Sequence, residues 1–437
     1  MSEQILEATE LTRAAVEALS ARFDEPAWVR TARLGAFDRF EQSPWPSTQD
    51  ERWRRTDLSG LAADRIRPFV EGASDPLPAA VRLAGDRLSP AAGLLVQRNA
   101  TTVSAHLDAD LAARGVVFTD LHAAVRDHPD LVEPHLMQLI RADEGKFQAL
   151  HAAFWSGGTF VYVPAGVEVA LPLLTLSWID APDAGLFPHI LLIAEPGSRV
   201  TLINASGLDS GGRALVVPAA EIIIHDGAAV RHATVQNWGR EVWEIGVLRA
   251  QIERDATLHN LLVALGGGVV KADVESILAG PGASSEMLGL VFGDGGQHYD
   301  IHTLQEHAAP HTLSDLLYKN AVKNHASSSF VGMIRVHPGA QKTNAFQSNR
   351  NLILSEGSRA ISDPKLEILA NDLRCTHGSA TSRLNEEHLF YLMSRGLTRE
   401  QAVRMVVEGF FAELLDRVPL APLADSLRGE IAVRMTA

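Results

Sequence analysis

Cysteine is almost absent from this sequence, since Cys375 is the only cysteine in 437 residues. One thiol cannot form an internal disulfide, which excludes the disulfide-rich secreted class and predicts a reducing, cytoplasmic location. The sequence begins Met-Ser-Glu-Gln rather than with a basic segment and an apolar run, so no secretory signal is expected. No apolar run is long enough to cross a bilayer, and no membrane association is expected.

Positive charge and aromatic side chains are also scarce. Lys and Arg number 39 against 53 Asp and Glu, which gives a formal net charge of -14. Because a nucleic-acid partner requires a basic surface, nucleic acid is not expected as a partner. Aromatic residues make up 6% of the chain, few for stacking on sugar rings. The remaining composition is ordinary for a globular protein, and the length predicts two or three domains.

Short turns recur at an almost constant interval in the middle of the chain. A spacing of about 30 residues is typical of a solenoid. The segments between the turns are short, alternating and rich in Val, Ile and Leu, so each repeat is expected to consist of strands. The sequence therefore predicts a mainly β protein with a right-handed parallel β-helix core. A β-sandwich is disfavoured because hairpin signals are missing. The turns centre on Gly166, Gly197, Gly227, Ala256, Gly282, His311 and Gly339.

Helical patterns flank this core on both sides. We predict an N-terminal, mostly helical region over residues 1–147, the parallel β-helix core over 148–384 and a C-terminal helical domain over 385–437. Apolar residues at helical spacing indicate helices over 3–22 and 25–40 in the first region.

The C-terminal region has clear helix signals. A first helix is expected to end at Gly396, and a second to begin at Thr398, with Gln401 completing a capping box. The two helices carry a broad apolar surface. That surface could close the open end of the β-helix or could dock on a partner protein, and the sequence leaves both alternatives open.

The single cysteine belongs to a Cys-x-His pair. On a strand, alternation places Leu373, Cys375 and His377 on one face. Thiolate and imidazole are metal ligands, but an iron-sulfur cluster or zinc ion usually takes four. Any cluster here would need ligands from another chain. The alternative is a thiol that packs in the core beside Leu373.

Two other candidate motifs lack the residues that a metal site or a phosphate loop requires. The four histidines of residues 298–311 lack a recognisable ligand spacing and are expected to be solvated or hydrogen-bonded. Residues 266–268 form a glycine triplet without the Lys-Ser/Thr of a phosphate loop, which favours a tight bend. We therefore expect no ATP hydrolysis by this chain. The histidines are His298, His302, His307 and His311.

A carbohydrate-active enzyme is the rival prediction, because β-helices are frequent among polysaccharide lyases and hydrolases. Such an enzyme needs two carboxylates across an exposed groove. Asp294 paired with Asp300 or Glu306 would be the candidates.

Four segments carry a resemblance to a known family. Together with Cys375 and His377, they resemble the SufB/SufD family of iron-sulfur cluster assembly scaffold proteins. The segments are 154–164 (FWSGGTFVYVP), 307–314 (HAAPHTLS), 361–368 (ISDPKLEI) and 389–396 (LFYLMSRG).

Within that family, three features are similar to the SufD branch. Residues 51–58 (ERWRRTDL) are similar to an N-terminal SufD signature, with Arg55 where an aromatic is usual. The run Cys375 to Gly378 is similar to SufD's Cys-Ser-His-Gly, where SufB chains read Glu-His-Glu. Asn349 stands near the position at which SufB chains carry an essential cysteine.

The resemblance implies a non-catalytic scaffold subunit. A SufB-type subunit would form a heterodimer with this chain through the β-helices, and a nascent iron-sulfur cluster would assemble at their interface. His377 would supply a ligand from this side, with Cys375 as a second candidate. Independently of the resemblance, an unpaired β edge of the solenoid would allow a homodimer in the absence of the partner.

The resemblance also implies an energy source for assembly. A SufC-type ATPase would dock on the C-terminal helices, with Phe390, Arg395, Phe410 and Phe411 as the expected anchors. A reduced flavin is associated with the complex in this family, although the sequence shows no motif for it.

Overall fold

Parallel strands of the middle region stack into two long sheets. The computed structural model describes residues 10–72, 78–210 and 212–436. The strands are β1 (Gly93–Arg98), β2 (Thr101–Leu107), β3 (Val117–Asp120), β4 (Gly158–Val163), β5 (Leu173–Ile179), β6 (Ala184–Leu186), β7 (His189–Ala194), β8 (Arg199–Ser210), β9 (Ala214–Val216), β10 (Ala219–Ile224), β11 (Ala229–Gln236), β12 (Val242–Ile252), β13 (Thr257–Ala264), β14 (Val269–Leu278), β15 (Ser284–Gly293), β16 (His298–His307), β17 (Leu313–Val322), β18 (Ser327–Val336), β19 (Asn344–Ile353), β20 (Arg359–Ile368) and β21 (Arg374–Arg383).

Helices precede and follow the strands. Two short 3₁₀ helices cover Glu51–Trp53 and Ala63–Arg65. The α-helices are α1 (Arg13–Arg22), α2 (Ala27–Gln42), α3 (Ala79–Arg87), α4 (Ala109–Ala113), α5 (Leu121–Asp127), α6 (Pro129–Val132), α7 (Lys146–Phe154), α8 (Glu386–Ser394), α9 (Arg399–Leu415) and α10 (Ala421–Thr436). None of the described helices combines the length and apolar character that a membrane span requires.

From β10 onward, successive strands alternate between the two sheets. The ten-stranded sheet has the order β2-β1-β5-β8-β11-β13-β15-β17-β19-β21, and the other has the path β20-β18-β16-β14-β12-β10-β7-β4-β3. The pairings are parallel except for β1 with β2 and β3 with β4. Each coil thus adds one strand to each sheet, and the predicted parallel β-helix is confirmed.

The interior is built from ladders of side chains at equivalent positions. Ala272, Ile301 and Phe330 align across β14, β16 and β18, and all three are buried. Because each coil buries its inner face only against its neighbours, burial continues for as long as another coil follows. Each large apolar side chain buried in this way contributes roughly 1.5–3 kcal/mol.

The N-terminal region closes the first coils. Antiparallel β2 ends one sheet and β3 ends the other. Helix α1 begins after its N-cap Thr12, and α2 corresponds to the helix expected over 25–40. Residues 3–9 of the helix expected over 3–22 lie outside the described residues. Because α7 crosses residue 147 and β1 pairs with β5, the boundary at 147 remains a prediction.

Helices α8 and α9 correspond to the two helices that the sequence predicts, and α10 is a third helix that it did not predict. Thr398 and Gln401 form the capping box of α9, and Gly396 has a φ of 95° between α8 and α9. Phe411 and Leu414 pack with Phe292 of β15 in one buried cluster. The helices therefore cover the outer face of the ten-stranded sheet. The alternative in which they close the end of the solenoid is wrong.

Candidate functional site at the open end of the solenoid

The last coil of the solenoid has two free edges. Strands β20 and β21 end the two sheets, and no described strand pairs with their outer edges. Each strand is 10 residues long. Unpaired N–H and C=O groups on such an edge favour pairing with a further strand. We call the surface formed by β20 and β21 the open end.

The open end also exposes the inner face of the solenoid. Ile334 and Val336 are fully buried, but Leu366 and Ile368, their register partners in β20, are 38% and 40% exposed. Since the positions are equivalent, the missing next coil is the cause of this exposure. The open end therefore exposes apolar side chains at positions that are buried one coil earlier.

The Cys-x-His pair lies on this exposed inner face. Cys375 aligns with the buried Ala345, and His377 aligns with the buried Gln347 of β19. Cys375 is half-buried and His377 is exposed. The expected orientation of both side chains toward one face is therefore confirmed, and that face is open to solvent.

The surroundings of Cys375 favour packing in the isolated chain. It lies with Leu373 against a small apolar cluster that contains Ile334 and Val336. Partial burial raises the pKa of the Cys375 thiol, so the neutral form predominates at neutral pH. A thiol must lose its proton to bind a metal, so this shift in pKa disfavours metal binding by Cys375 in the isolated chain.

The ligand set at this end is incomplete. Among the described residues, no three His, Cys, Asp or Glu side chains come close enough together to hold a metal ion. A cluster bound at His377 would take its remaining ligands from outside this chain.

Polar side chains fill the coil beneath His377, and sequence reasoning did not find them. Asn351 donates through Nδ2 to Asn349 Oδ1 at 2.9 Å and to Thr381 Oγ1 at 3.2 Å. The amide oxygen of Gln347 is buried without a partner among the described residues. Because Gln347 aligns with His377, this oxygen is a candidate acceptor for an imidazole N–H. The signal in the sequence is its position 30 residues before His377, one coil earlier.

The histidine run is hydrogen-bonded, as the sequence predicts for most of it. His307 is fully buried and uses both ring nitrogens within the chain. His311 lies in a turn with a φ of 61°. The hydrogen bonds are His298 Nδ1 with Ser327 Oγ at 2.8 Å, His302 Nε2 with Asp300 Oδ1 at 3.1 Å, His307 Nδ1 with Thr312 Oγ1 at 2.7 Å and His307 Nε2 with Ser314 Oγ at 2.8 Å.

The candidate carboxylates of the rival enzyme are engaged in structural contacts. Burial alone would raise the pKa of Asp300, but the hydrogen bond with His302 and the charge of Lys271 hold it well below the usual range. Asp300 is fully buried and cannot act as a general acid. Asp294 and Glu306 also have hydrogen-bond partners within the chain, so this prediction has no support in the structure.

Residues 51–56 connect the N-terminal region to the solenoid. Thr56 Oγ1 donates to Asp300 Oδ2 at 2.7 Å, and the Arg52 guanidinium lies 2.9 Å from an Asp273 carboxylate oxygen. Glu51 reaches Lys365 of β20 at 2.6 Å. The segment therefore runs along the outer face of the β14–β20 sheet as far as the open end.

The predicted anchors on the C-terminal helices differ in accessibility. Phe390 is 75% exposed, and Arg395 is exposed with its guanidinium 5.2 Å from the centre of the Tyr391 ring. Phe410 is half-buried against Phe411. Phe411 is fully buried, so its assignment as a contact residue is corrected to a core residue. Exposed Tyr391, which the sequence reasoning did not select, extends the accessible surface.

Comparison with known proteins shows that most of the chain matches two models of one protein family. Residues 17–174 match the model described as "SufBD protein N-terminal region", and residues 177–410 match "SUF system FeS cluster assembly, SufBD core domain". The chain is 32% identical to the iron-sulfur cluster assembly protein SufD of Bacillus subtilis, over 93% of each protein. It is 30% identical to SufB of the same organism, over 94% of this chain and 90% of the relative.

Proposed function

Because the chain belongs to the SufB/SufD family of iron-sulfur cluster assembly proteins, we propose that it acts as a SufD-like, non-catalytic scaffold subunit in the cytoplasm. The open end is the single observation that carries this proposal, since it combines free strand edges with an exposed, incomplete ligand set. The Cys375-x-His377-Gly378 pattern favours SufD over SufB, and Asn349 occupies a buried inner position of β19.

The proposed partner at the open end is a SufB-type β-helix. Two parallel edges of 10 residues each can extend both sheets across a subunit boundary. Leu366 and Ile368 would become buried in the joint interior, as Ile334 and Val336 already are one coil earlier. Free edges and uncovered apolar side chains thus support the same partner surface.

The nascent cluster would assemble where the two chains meet. His377 is the proposed ligand from this side, because its imidazole is exposed and needs no rearrangement to reach a cluster. Cys375 is the second candidate, and it would first have to lose its proton. The partner subunit would supply the missing ligands.

The proposed site for a SufC-type ATPase is the exposed surface of α8. Phe390 and Tyr391 are large hydrophobic side chains that no described residue of this chain covers fully. Arg395 adds a cation beside Tyr391. Aromatic and arginine side chains commonly dominate the binding energy of protein interfaces.

The first experiment compares iron and acid-labile sulfide in complexes purified anaerobically after co-expression with SufB-type and SufC-type partners. His377→Ala is expected to leave the complex intact and to lower both contents. His106→Ala is the matched control, because His106 is 71% exposed on β2, at the opposite end. Unchanged iron and sulfide contents in His377→Ala would contradict the proposal that His377 is a ligand. Failure to form any complex would contradict the proposed partners.

Cys375→Ser tests the second ligand candidate in the same assay. Normal iron and sulfide contents would assign Cys375 to packing. A loss comparable to that of His377→Ala, with the complex still formed, would assign it to the cluster.

A further inference from the structure

A groove on the outer face of the ten-stranded sheet gathers basic and hydroxyl side chains away from the open end. It crosses β8, β11 and β13. Three further strands, β15, β17 and β19, separate it from β21 at the open end. Neither the cluster site nor the α8 surface shares its residues. The side chains that matter are Arg199, Thr201, Arg231, Thr257, His259 and Glu168.

The strand register explains the shape of this groove. Ala229 lies between Arg199 and Thr257 in one row, and Arg231 lies between Thr201 and His259 in the next row. Adjacent strands are about 4.8 Å apart, so Arg199 and Thr257 are separated by roughly 10 Å across the small Ala229 side chain. The methyl group of Ala229 therefore forms the floor of a depression with polar walls.

The two arginines in this groove lack anionic partners. Neither the Arg199 nor the Arg231 guanidinium has a hydrogen bond or ion pair in the described part of the chain. By contrast, the Arg417 guanidinium, which lies over the neighbouring strands β15 and β17, contacts two carboxylates. Arg199 and Arg231 are diagonal neighbours on adjacent strands, within reach of one ligand for two long side chains.

Acidic groups near the groove are few and partly neutralised. Glu168 is the register neighbour of Arg199 in an isolated parallel bridge, lines the groove and would oppose an anion. Glu286 accepts a hydrogen bond from His259 Nδ1 at 2.8 Å, while the Arg417 guanidinium lies 2.6 Å from its other oxygen. With two arginines and one glutamate, the residues that line the groove carry a formal charge of +1, in a chain whose overall charge is -14.

We propose that this groove binds the phosphate group of a small molecule, with the Arg199 and Arg231 guanidiniums as the principal donors. Guanidinium forks match tetrahedral oxyanions and form short, charge-assisted hydrogen bonds. The Thr201 and Thr257 hydroxyls complete the donor set. Free phosphate and a phosphate monoester share this chemistry, and the experiment separates them.

The test is isothermal titration calorimetry, which measures the affinity of the full chain for inorganic phosphate and, separately, for AMP at constant ionic strength. Saturable binding of phosphate alone identifies a free-ion site, and tighter binding of AMP identifies a monoester site. Arg231→Gln is expected to weaken binding by at least about tenfold, because it removes a charged hydrogen bond. Added chloride should weaken binding in the wild type.

Arg30→Gln provides a charge-matched control, because Arg30 is exposed on α2, away from the groove. Its affinity should equal that of the wild type. An unchanged melting temperature of Arg231→Gln without ligand shows that the variant is folded. Equal losses in both variants, or no saturable binding of either probe to the wild type, would overturn the proposal.

Discussion

Burial of the Glu244 carboxyl group destabilises the folded protein when this group is ionised. Its carboxyl group is buried and accepts a hydrogen bond from Trp238 Nε1 at 2.5 Å. Burial raises the pKa of Glu244 from 4.5 to about 7, because the interior cannot solvate the charge as water does. The folded protein therefore holds this proton at pH values where the unfolded chain has released it.

Substitution of this side chain should stabilise the protein at alkaline pH. As pH rises from 4.5 to about 7, the unfolded chain loses the proton first, so wild-type stability falls and then levels off. Glu244→Gln removes this penalty, which amounts to about 3 kcal/mol at pH 8, and keeps an acceptor for Trp238. Thermal denaturation at pH 5 and pH 8 should show a gain that is larger at pH 8. A gain of equal size at both values would contradict the pKa shift.

Truncation of Phe411 should destabilise the protein strongly, whereas truncation of Phe390 should leave its stability almost unchanged. Phe411→Ala removes a fully buried ring and should cost about 3–5 kcal/mol of stability. Phe390→Ala removes a ring that is 75% exposed and should change stability by less than about 0.5 kcal/mol. Denaturant unfolding measures the first effect, and co-purification with the proposed SufC-type ATPase measures any role of Phe390. Strong destabilisation by Phe390→Ala would mean that it is a core residue.

Helix α9 is attached to the solenoid by a polar contact as well as by its apolar face. The Arg417 guanidinium lies 2.6 Å from Glu286 of β15 and 2.6 Å from Asp315 of β17. Arg417 follows the end of α9, so the contact fixes this end of the helix over two adjacent strands. The orientation of the exposed α8 surface depends in turn on α9.

Arg417→Gln should loosen the C-terminal helices without disturbing the solenoid. The guanidinium is partly exposed, so the expected loss is only about 1 kcal/mol. Hydrogen exchange should increase over residues 386–415 and stay unchanged in β15 and β17. Arg428→Gln is the control, since its partners Asp416 and Asp425 both belong to the C-terminal region. Equal exchange in both variants would show that Arg417 does not hold the helices.

The molecule as a whole is asymmetric, because one end of the solenoid is covered and the other is open. The N-terminal strands β2 and β3 end the two sheets on one side with antiparallel pairings. At the other side, β20 and β21 leave both edges and several apolar side chains uncovered. Free edges of this kind favour association with another chain.

We therefore expect the isolated chain to self-associate through the open end. Ile368→Lys places a charge among the uncovered apolar side chains and should shift the chain toward monomer. Leu83→Lys is the control, since Leu83 is 49% exposed on α3, outside the open end. Light scattering after size-exclusion chromatography gives the mass of each variant. A monomeric wild type, or an effect of equal size in both variants, would contradict the expectation.

The sequence by itself determined the elements that depend on local physics. Alternating β-branched segments and turns about 30 residues apart predict a solenoid, because each coil repeats the same short-range pattern. Thr398 and Gln401 predict the start of α9, because a capping box involves only neighbouring residues. The Cys375 and His377 pair likewise predicts two ligands that face one way, since strand alternation is a property of the backbone.

Only the tertiary structure decided which of these faces are covered. Phe411 is buried because β15, more than a hundred residues earlier in sequence, lies beneath α9. His377 is exposed because no described strand follows β21, although Gln347, at the equivalent inner position, is fully buried. Burial depends on contacts between distant parts of the chain, and a local pattern shows which face is apolar but not what covers it.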